Sequence, residues 1–510
     1  MRVSGLSATR VGARLLSWRT GVACLGLAAI WGGWGASALY GQQWRARVAT
    51  RIQYVEAQTL VLDSVAVDQV TGSGPQRRYG DILVTCTTGE DHCYFYSSDS
   101  DSKMSTAPAF VDADLNVFGL GVEGLRFYAS ARFRSAFGSG GEQFWPRTDE
   151  DFELVAAYAE LNRPMFRVRL GRDYQVSGLG FYGYDGGSLR FRYRPARLEA
   201  EAYGGWGLER GLPLRLTADA LESLGEFQPQ EDNYLFGFRG SFGPYEGVSA
   251  AAIYQREILT DPKVISSERL GFEASYRSPD SRWLIEGSAD YDMATGWWGK
   301  GNARVGWWAD RLVYLEGRLF RYRPIFSLQT IWVAFSPVSY WGWGVAAGLG
   351  PYKDVQVRLE LDRRDYGDTE AESDVGPFFA TTDRLWRGRA WARWQPKVKW
   401  GLEGSYWLEW GVGSAISAGN LKFDYLLTPD LSLGARVGAY DQSWEFRMGD
   451  SMIWNVGVDA RWRTRIGTVW GAVDGYRHDR KDDAAFDDWT QLRAVLGISY
   501  YLGSEPGRTP

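Results

Sequence analysis

The chain has 510 residues, a net charge of −5 and only two histidines. An acidic balance argues against a nucleic-acid partner, because proteins that bind nucleic acid carry a basic surface. So few histidines disfavour a hydrolase that places a histidine base beside its nucleophile, and no glycine-rich phosphate loop precedes a helical segment. We therefore expect no enzyme, no cofactor and no metal.

The N-terminus is predicted to be a signal peptide over residues 1–38. Four arginines and no acidic residue accompany an apolar run over 21–34, and Ala36-Ser37-Ala38 matches a signal-peptidase site. A membrane anchor is the alternative, but the run is short and glycine-rich for a spanning helix. Cleavage removes the four arginines and changes the net charge from −5 to −9.

The first predicted strand covers about residues 44–54, and a long loop follows over 58–108. This loop holds Cys86 and Cys93, the two cysteines that remain after cleavage. An even pair in an exported chain predicts a local disulfide, and the surrounding DILVTC…CYFYS predicts a hairpin. His92 beside Cys93 is an isolated group of ligands, which is weak evidence for a metal site.

Apolar and polar residues then alternate with the period of two that is typical of strands. In SLRFRYRPARLEAEAY, residues 188–203, arginines occupy alternate positions before a Pro-Ala turn and glutamates occupy alternate positions after it. A hairpin folded there places Arg192 opposite Glu199. It also places Arg190 opposite Glu201, and facing opposite charges stabilise a strand pair. The alternation recurs in GLRFYASARFRSAF, MFRVRLGR, VQVRLELDR, WNVGVDARWR and QLRAVLGISYYL.

Short and long connections alternate between these segments. Short turns are predicted near 162–164, 195–196, 243–244, 278–280, 308–310, 350–351, 395–396, 428–430 and 464–465. Longer connections are predicted over 138–151, 206–230, 364–382, 441–451 and 477–488. Short periplasmic turns, longer outer loops and aromatic girdles are typical of outer-membrane barrels, and the chain has 25 tryptophans and 28 tyrosines.

We therefore predict an all-β fold, a single large antiparallel transmembrane β-barrel of roughly 18–22 strands. The barrel covers residues 39–502 and leaves a C-terminal tail at 503–510. Within it, the loop at 58–108 is predicted to be an outer loop or a pore constriction. A separate plug domain needs more sequence than precedes the first strand. A soluble secreted β-protein is the structural alternative.

The chain resembles a Gram-negative outer-membrane porin. LGRDYQVSGLGFYGYDGGSLRFR, residues 170–192, is loosely similar to the Gly-Arg…Asp-Gly segment of alginate-export-type porins. That resemblance implies a monomeric barrel with an arginine-rich lumen that takes acidic polysaccharide. The chain departs from the pattern at Asp173, where the family has glutamine, and in its final strand, which ends SYYLGSEPGRTP.

The charged face predicts the residues of the site. The predicted pore-lining residues are Arg126, Arg132, Arg134, Arg167, Arg169, Arg190, Arg192, Arg194, Glu199 and Glu201. The connection 173–187 is a candidate constriction with Asp173, Tyr174, Tyr182, Tyr184 and Asp185. Clustered arginines favour anions, because guanidinium binds carboxylate bidentately. The alternative is that these arginines only neutralise neighbouring acids, and that 173–187 is an exposed loop.

The leading hypothesis is a passive outer-membrane channel for small hydrophilic solutes, with a preference for anionic solutes or acidic sugars. One alternative is a structural or adhesive barrel with a blocked lumen. A second is an outer-membrane lipid hydrolase that depends on His478. Asp474 shares one strand face with His478, but about 13 Å of extended chain separates them. The predicted partners are outer-membrane lipid, lipopolysaccharide and the barrel-assembly machinery. The acidic connection 478–488 is predicted to be a solvated outer loop rather than a cation site.

Overall fold

A computed structural model describes most of the chain. The described residues are 43–58, 61–80, 82–87, 89–97, 103–138, 152–208, 233–260, 263–323, 339–366, 384–411, 414–443, 451–480 and 488–503. The predicted signal peptide and residues 504–510 of the predicted tail lie outside these ranges. Within them, no helix is long and apolar enough to cross a membrane.

The described residues form 26 strands in two sheets. The first strand and the small sheet are β1 (Gln43–Gln58), β2 (Val61–Ala66), β3 (Gln76–Tyr79), β4 (Ile82–Cys86) and β5 (His92–Ser97). The following strands are β6 (Lys103–Phe118), β7 (Leu125–Gly138), β8 (Phe152–Asn162), β9 (Phe166–Ser177), β10 (Gly180–Tyr193), β11 (Leu198–Gly207), β12 (Asn233–Tyr245), β13 (Val248–Leu259), β14 (Ile265–Arg277), β15 (Trp283–Asp292) and β16 (Trp297–Trp308). The remaining strands are β17 (Val313–Tyr322), β18 (Tyr340–Tyr352), β19 (Val355–Tyr366), β20 (Arg384–Lys397), β21 (Trp400–Gly411), β22 (Ser414–Thr428), β23 (Leu431–Ser443), β24 (Ser451–Arg463), β25 (Gly467–Arg480) and β26 (Trp489–Gly503).

The larger sheet closes on itself as a 22-stranded antiparallel barrel. Each strand from β6 to β26 pairs with its neighbour in the chain, and β1 pairs with both β6 and β26. The closing pair runs from Arg45 opposite Gly503 to Val55 opposite Arg493. The predicted barrel is confirmed, with a strand number at the upper end of the expected range.

The alternation places apolar side chains on the outside of the barrel. In β24, Val456 is 63% exposed and Val458 is 57% exposed, as expected for residues that face lipid rather than a protein core. Tryptophans border this apolar band. Trp386 and Trp410 stack near one end, with ring centroids 6.3 Å apart, and Trp394 meets Trp400 near the other end at 5.0 Å. About 27 Å of strand separates Trp386 from Trp394, which corresponds to about 20 Å of bilayer when the strand is tilted.

Both termini of the barrel and its short turns lie at one end. Six of the predicted turns fall at or beside the connections at this end: 162–164, 195–196, 278–280, 308–310, 428–430 and 464–465. Those predicted at 243–244, 350–351 and 395–396 instead fall inside the last residues of β12, β18 and β20, where the register shifts before the chain turns. One further turn, at 119–124, was not predicted from the sequence.

Aspartates brace two of these turns. Asp310 accepts hydrogen bonds from the backbone N–H groups of Leu312 and Val313 at 2.7 and 2.8 Å. These bonds favour the ionised carboxylate and hold the pKa of Asp310 below its usual value. A hydrogen bond from the Ser278 hydroxyl similarly lowers the pKa of Asp280.

The opposite end of the barrel has connections of mixed length. The five predicted long connections lie at this opposite end: 138–151, 206–230, 364–382, 441–451 and 477–488. Most of their residues are outside the described ranges. Several connections at the same end are short, among them Gly178-Leu179 between β9 and β10, 293–296 between β15 and β16, and the connection between β21 and β22, where Gly411 pairs with Ser414. Longer connections lie at this end, as predicted, and short ones occur among them.

The small sheet lies in the connection between β1 and β6. Its strand order is β2-β5-β4-β3, and the predicted hairpin is its β4–β5 pair. Cys86 and Cys93 form a disulfide, with Cα atoms 4.2 Å apart. The two cysteines are buried with Val65 and Val84 in a core of its own. We call residues 61–97 the rim module; β6 begins at Lys103, so part of the predicted 58–108 loop belongs to the barrel wall.

The lipid-facing position of Leu359 gives a first prediction. Leu359 lies in the middle of β19 and is 54% exposed. Leu359→Arg should lower the free energy of unfolding in lipid vesicles by about 2–4 kcal/mol, because the substitution places a charge near the bilayer midplane. Val355→Arg, on the same face but beside the turn, should cost at most about 1 kcal/mol. Denaturant titration in vesicles measures both, and equal losses would contradict the proposed orientation of β19.

Candidate functional site

The inner face of the barrel carries the charged side chains, as the β10–β11 hairpin shows. Arg190 lies opposite Glu201 and Arg192 lies opposite Glu199, in the predicted register. Arg190 donates to Glu201 at 2.6 Å and Arg192 donates to Glu199 at 3.2 Å. The turn contains four residues rather than the predicted two. Arg194–Ala196 form a 3-10 turn and Arg197 is left-handed, and the predicted register is kept.

Buried carboxylates each bridge arginines from two strands. Glu160 of β8 is 1% exposed and accepts from Arg126 of β7 at 2.8 Å and from Arg169 of β9 at 2.6 Å. Glu201 of β11 is 2% exposed and accepts from Arg167 at 3.1 Å and from Arg190 at 2.6 Å. Each bridge neutralises part of the arginine charge and stabilises the ionised carboxylate in return.

The remaining predicted arginines divide into two groups. Arg132 binds Asp112 at 2.6 Å, and Arg134 binds Glu153. Arg194 instead lies in the exposed 3-10 turn between β10 and β11, so it does not belong to the charged strand face. Seven of the eight predicted arginines therefore have carboxylate partners, as the neutralisation alternative expects.

Ion pairs continue around the inner wall. Arg318 of β17 binds Glu360 at 3.0 Å and Asp362 at 2.7 Å, both on β19. Arg436 of β23 binds Asp474 of β25 at 2.6 Å. Many of these groups remain accessible: Arg132 and Asp112 are 39% and 40% exposed, and Arg304 and Glu286 are 36% and 38% exposed. An inner face with this exposure borders space rather than a packed core.

Four other inner-face arginines lie over aromatic rings instead of carboxylates. The distances from guanidinium carbon to ring centroid are 4.8 Å for Arg51 and Phe110, 5.0 Å for Arg364 and Tyr340, 5.6 Å for Arg389 and Trp407, and 4.9 Å for Arg493 and Tyr476. No carboxylate within 4 Å of these four guanidiniums is found in the described part of the chain. Sequence analysis missed this set, although RLWRGRAWAR shows the same period of two.

The candidate constriction at 173–187 is not a loop, and this corrects the prediction. Its residues belong to β9 and β10, which turn at Gly178-Leu179. The pairing of β9 with β8 ends at Arg172, and that of β10 with β11 ends at Tyr184. Residues 173–183 therefore extend beyond the wall as a two-stranded hairpin, which we call the inner hairpin.

The tip of the inner hairpin packs on the inner wall four strands away. Leu179 lies so close to β14 that a Cβ on Gly271 would be 3.0 Å from its Cδ2 atom. The Arg269 guanidinium donates to the Leu179 carbonyl at 2.8 Å, and Glu273 accepts from the Gly178 N–H at 3.2 Å. Because four strands span about 19 Å of wall, the hairpin must cross the inner surface to reach β14.

An apolar cluster fixes the hairpin in place. The buried residues of this cluster are Leu179, Tyr182, Tyr184, Tyr203, Leu235 and Ile253. Tyr182 is 5% exposed and Tyr184 is 0% exposed, and the Tyr182 hydroxyl donates to the Leu179 carbonyl at 2.9 Å. These two predicted constriction residues serve the packing of the hairpin, so their ring faces are not available to a solute.

The other predicted constriction residues have different surroundings. Asp173 is buried and accepts from Arg169 at 3.0 Å, and Asp185 accepts from Arg172 at 2.7 Å. Tyr174 is 39% exposed and stacks on Phe181, with ring centroids 5.2 Å apart. Since the opposite face of the hairpin packs on the wall, this aromatic pair faces the lumen.

The residues of the hydrolase alternative are not arranged for catalysis. Arg436 holds the Asp474 carboxylate, and the His478 ring stacks on Trp489 at 4.3 Å. Both lie on the inner face, away from lipid. No group of three potential metal ligands occurs among the residues that the structure describes.

These features define a transmembrane β-barrel of the outer-membrane class, with a lipid-facing exterior and a charged interior. No family model and no curated protein matches the sequence. Similar solved structures include a BenF-like porin from Pseudomonas fluorescens Pf-5, with 11% identity, a TM-score of 0.37, and 90% of this chain and 99% of the other covered. OccK2 (OpdF) of Pseudomonas aeruginosa in complex with glucuronate has 10% identity, a TM-score of 0.35, and coverage of 92% and 100%.

A third structure is the ferric enterobactin receptor PfeA of Pseudomonas aeruginosa. It shares 10% identity with a TM-score of 0.47, and the alignment covers 92% of this chain and 82% of the receptor. Likenesses this distant do not identify a family for the chain.

The contact between the hairpin tip and β14 predicts a specific cross-link. Leu179→Cys combined with Gly271→Cys should form a disulfide under mild oxidation, because a Cβ added to Gly271 would lie 3.2 Å from the Leu179 Cγ. Leu179→Cys combined with Gly287→Cys is the control, since Gly287 lies on the outer face of β15. Peptide mass spectrometry of the folded mature chain measures both. Failure of the first pair to cross-link would show that the hairpin does not rest on β14.

Proposed function

We propose that the protein is a passive outer-membrane channel for small hydrophilic solutes. The observation that supports this is the exposure of charged side chains on the inner face. Guanidinium and carboxylate groups at 36–40% exposure require water beside them, since burying them without solvent would be costly. The residues act by position and charge rather than by covalent chemistry.

The dimensions of the wall are consistent with a wide lumen. With strands about 4.8 Å apart and tilted by about 40°, a 22-stranded barrel has a diameter of roughly 44 Å, measured from backbone to backbone. The inner hairpin has about five residues in each strand, or roughly 17 Å of length, so it covers one side of this lumen without filling it. We propose that it narrows the path and presents Tyr174 and Phe181 to passing solutes.

The aromatic-backed arginines support a preference for anions. Ion-paired arginines of β7–β11 contribute little net field, because each lies within 3.2 Å of a carboxylate. Arg51, Arg389 and Arg493 are exposed and lie over rings, which leaves their charge available to a solute. We propose that they attract carboxylates, including acidic sugars, through bidentate hydrogen bonds. Lipopolysaccharide and the barrel-assembly machinery are the proposed partners of the barrel itself.

Single-channel recording tests the channel and its selectivity together. The refolded protein in a planar bilayer under a salt gradient should conduct steadily, with a reversal potential that indicates anion selectivity. Steady cation-selective conductance would support the proposed channel but reject the proposal that the arginines favour anions. Correctly folded protein that does not conduct would reject the channel and favour the structural barrel with a blocked lumen.

A pair of substitutions tests which arginines set the selectivity. Arg364→Gln with Arg389→Gln should shift the reversal potential towards cations, because both guanidiniums lie over aromatic rings on the inner face and neither forms an ion pair with a carboxylate among the described residues. Arg477→Gln is the matched control, since Arg477 lies on the outer face beside Asp488 and should leave the potential unchanged. An equal shift in both proteins would reject a specific role for the inner pair.

A further inference from the structure

Two rows of charged and aromatic side chains cross the outer face of β17–β21. The register aligns Arg321 with Trp341, Trp341 with Asp365, and Asp365 with Arg384. One step lower, the row consists of Trp343, Arg363, Trp386 and Trp410. We call these eight residues the rim patch.

The rim patch lies on the lipid-facing side at the upper edge of the apolar band. Trp341, in the upper row, is 54% exposed, as is Leu359, which faces the same way lower on β19. The row directly beneath the patch contains Val345, Leu361, Gly388 and Leu408 and is entirely apolar. β20 begins at Arg384, at the end of the barrel opposite the termini. The patch therefore lies where the headgroups of the outer leaflet meet the protein.

The rim patch has an excess of positive charge. It contains three guanidiniums and one carboxylate: Arg363 binds Asp365 at 2.6 Å, and Arg384 lies 3.7 Å from the same group. Three other ion pairs on the outward face near this edge are balanced, with one positive and one negative charge each. These pairs are Lys103 with Glu56 at 2.8 Å, Arg256 with Glu268 at 3.9 Å, and Arg477 with Asp488 at 3.7 Å. The rim patch thus has two positive charges beyond those that its carboxylate balances.

The tryptophans give the arginines a rigid base. The Arg363 guanidinium carbon lies 5.6 Å from the centroid of the Trp386 ring, and the Trp343 and Trp386 centroids are 5.7 Å apart. Arg384, at 68% side-chain exposure, extends above them. Guanidinium groups bind phosphate oxygens bidentately, and indole rings favour the membrane interface.

We propose that the rim patch binds the phosphate group of an outer-leaflet lipid, with the headgroup sugar or glycerol against Trp341 and Trp386. The site faces lipid and not the lumen, so it is independent of any channel function. Asp365 competes with the phosphate for Arg363 and Arg384 and limits the affinity. An occupied site ties one lipid headgroup to β17–β20.

Binding of defined lipids to the folded protein in detergent tests the proposal. Native mass spectrometry or a fluorescence titration would use bisphosphorylated lipid A, with fully dephosphorylated lipid A as the chemical control. The variant Arg321→Gln/Arg363→Gln/Arg384→Gln should bind the phosphorylated lipid at least about tenfold more weakly, which corresponds to about 1.4 kcal/mol. Arg477→Gln and Arg256→Gln, at the same edge, should bind as the unmodified protein does.

A substitution that should increase the affinity distinguishes loss of lipid recognition from damage to the fold. Asp365→Asn should tighten binding of phosphorylated lipid A, because it frees both guanidiniums, whereas a disturbed barrel would only weaken binding. Heat-modifiable migration on a gel confirms folding of every variant. A further outcome is that millimolar inorganic phosphate displaces phosphorylated lipid A and that removal of the acyl chains leaves the affinity unchanged. That combined result would identify a free anion as the ligand and overturn the proposal. Equal affinity for dephosphorylated lipid A, or an unchanged affinity in the triple variant, would also overturn it.

Discussion

The closing pair between β1 and β26 is the constraint on which the rest of the structure depends. Hydrocarbon offers no partner to a backbone N–H or C=O group, so a sheet can cross a bilayer only when it has no free edge. Eleven consecutive residue pairs between the first and the last barrel strand remove that edge. Closure then gives every strand one lipid-facing side and one enclosed side. The period-two sequence pattern follows, with aliphatic residues and tryptophan outside and arginine and carboxylate inside.

The enclosed side meets a second requirement, which is charge balance. Arginines from adjacent strands would repel each other, as Arg167 and Arg190 would at directly opposed positions. Glu201 lies between them at 2% exposure and accepts from both, so the pair becomes a bridge across three strands. Loss of such a carboxylate would leave two guanidiniums facing each other with little water around them. The wall is thus stabilised by the same charges that would otherwise repel each other.

Much of the barrel could be predicted from sequence because its determinants are local. Alternation identifies strands and their faces, and the Arg-Pro-Ala turn sets the register of Arg190 and Arg192 against Glu201 and Glu199. The inner hairpin could not be predicted in the same way. Its residues alternate like any other strand, and it leaves the wall because Leu179 packs on Gly271, more than 90 residues away in the chain. The arginines over Tyr340 and Trp407 are equally non-local, since only the pairing of separate strands decides whether an arginine meets a ring or a carboxylate.

The rim module has a consequence for how such a chain can vary. It connects β1 to β6, which are hydrogen-bonded neighbours with Gln58 opposite Lys103, so the segment leaves and re-enters the wall within about one strand spacing. Its core consists of its own residues, closed by its own disulfide. The cost of closing a loop grows only with the logarithm of its length. The wall should therefore accept a short hairpin or an unrelated small domain at this position, which makes the junction a natural point for exchange of connecting segments between barrels of this kind.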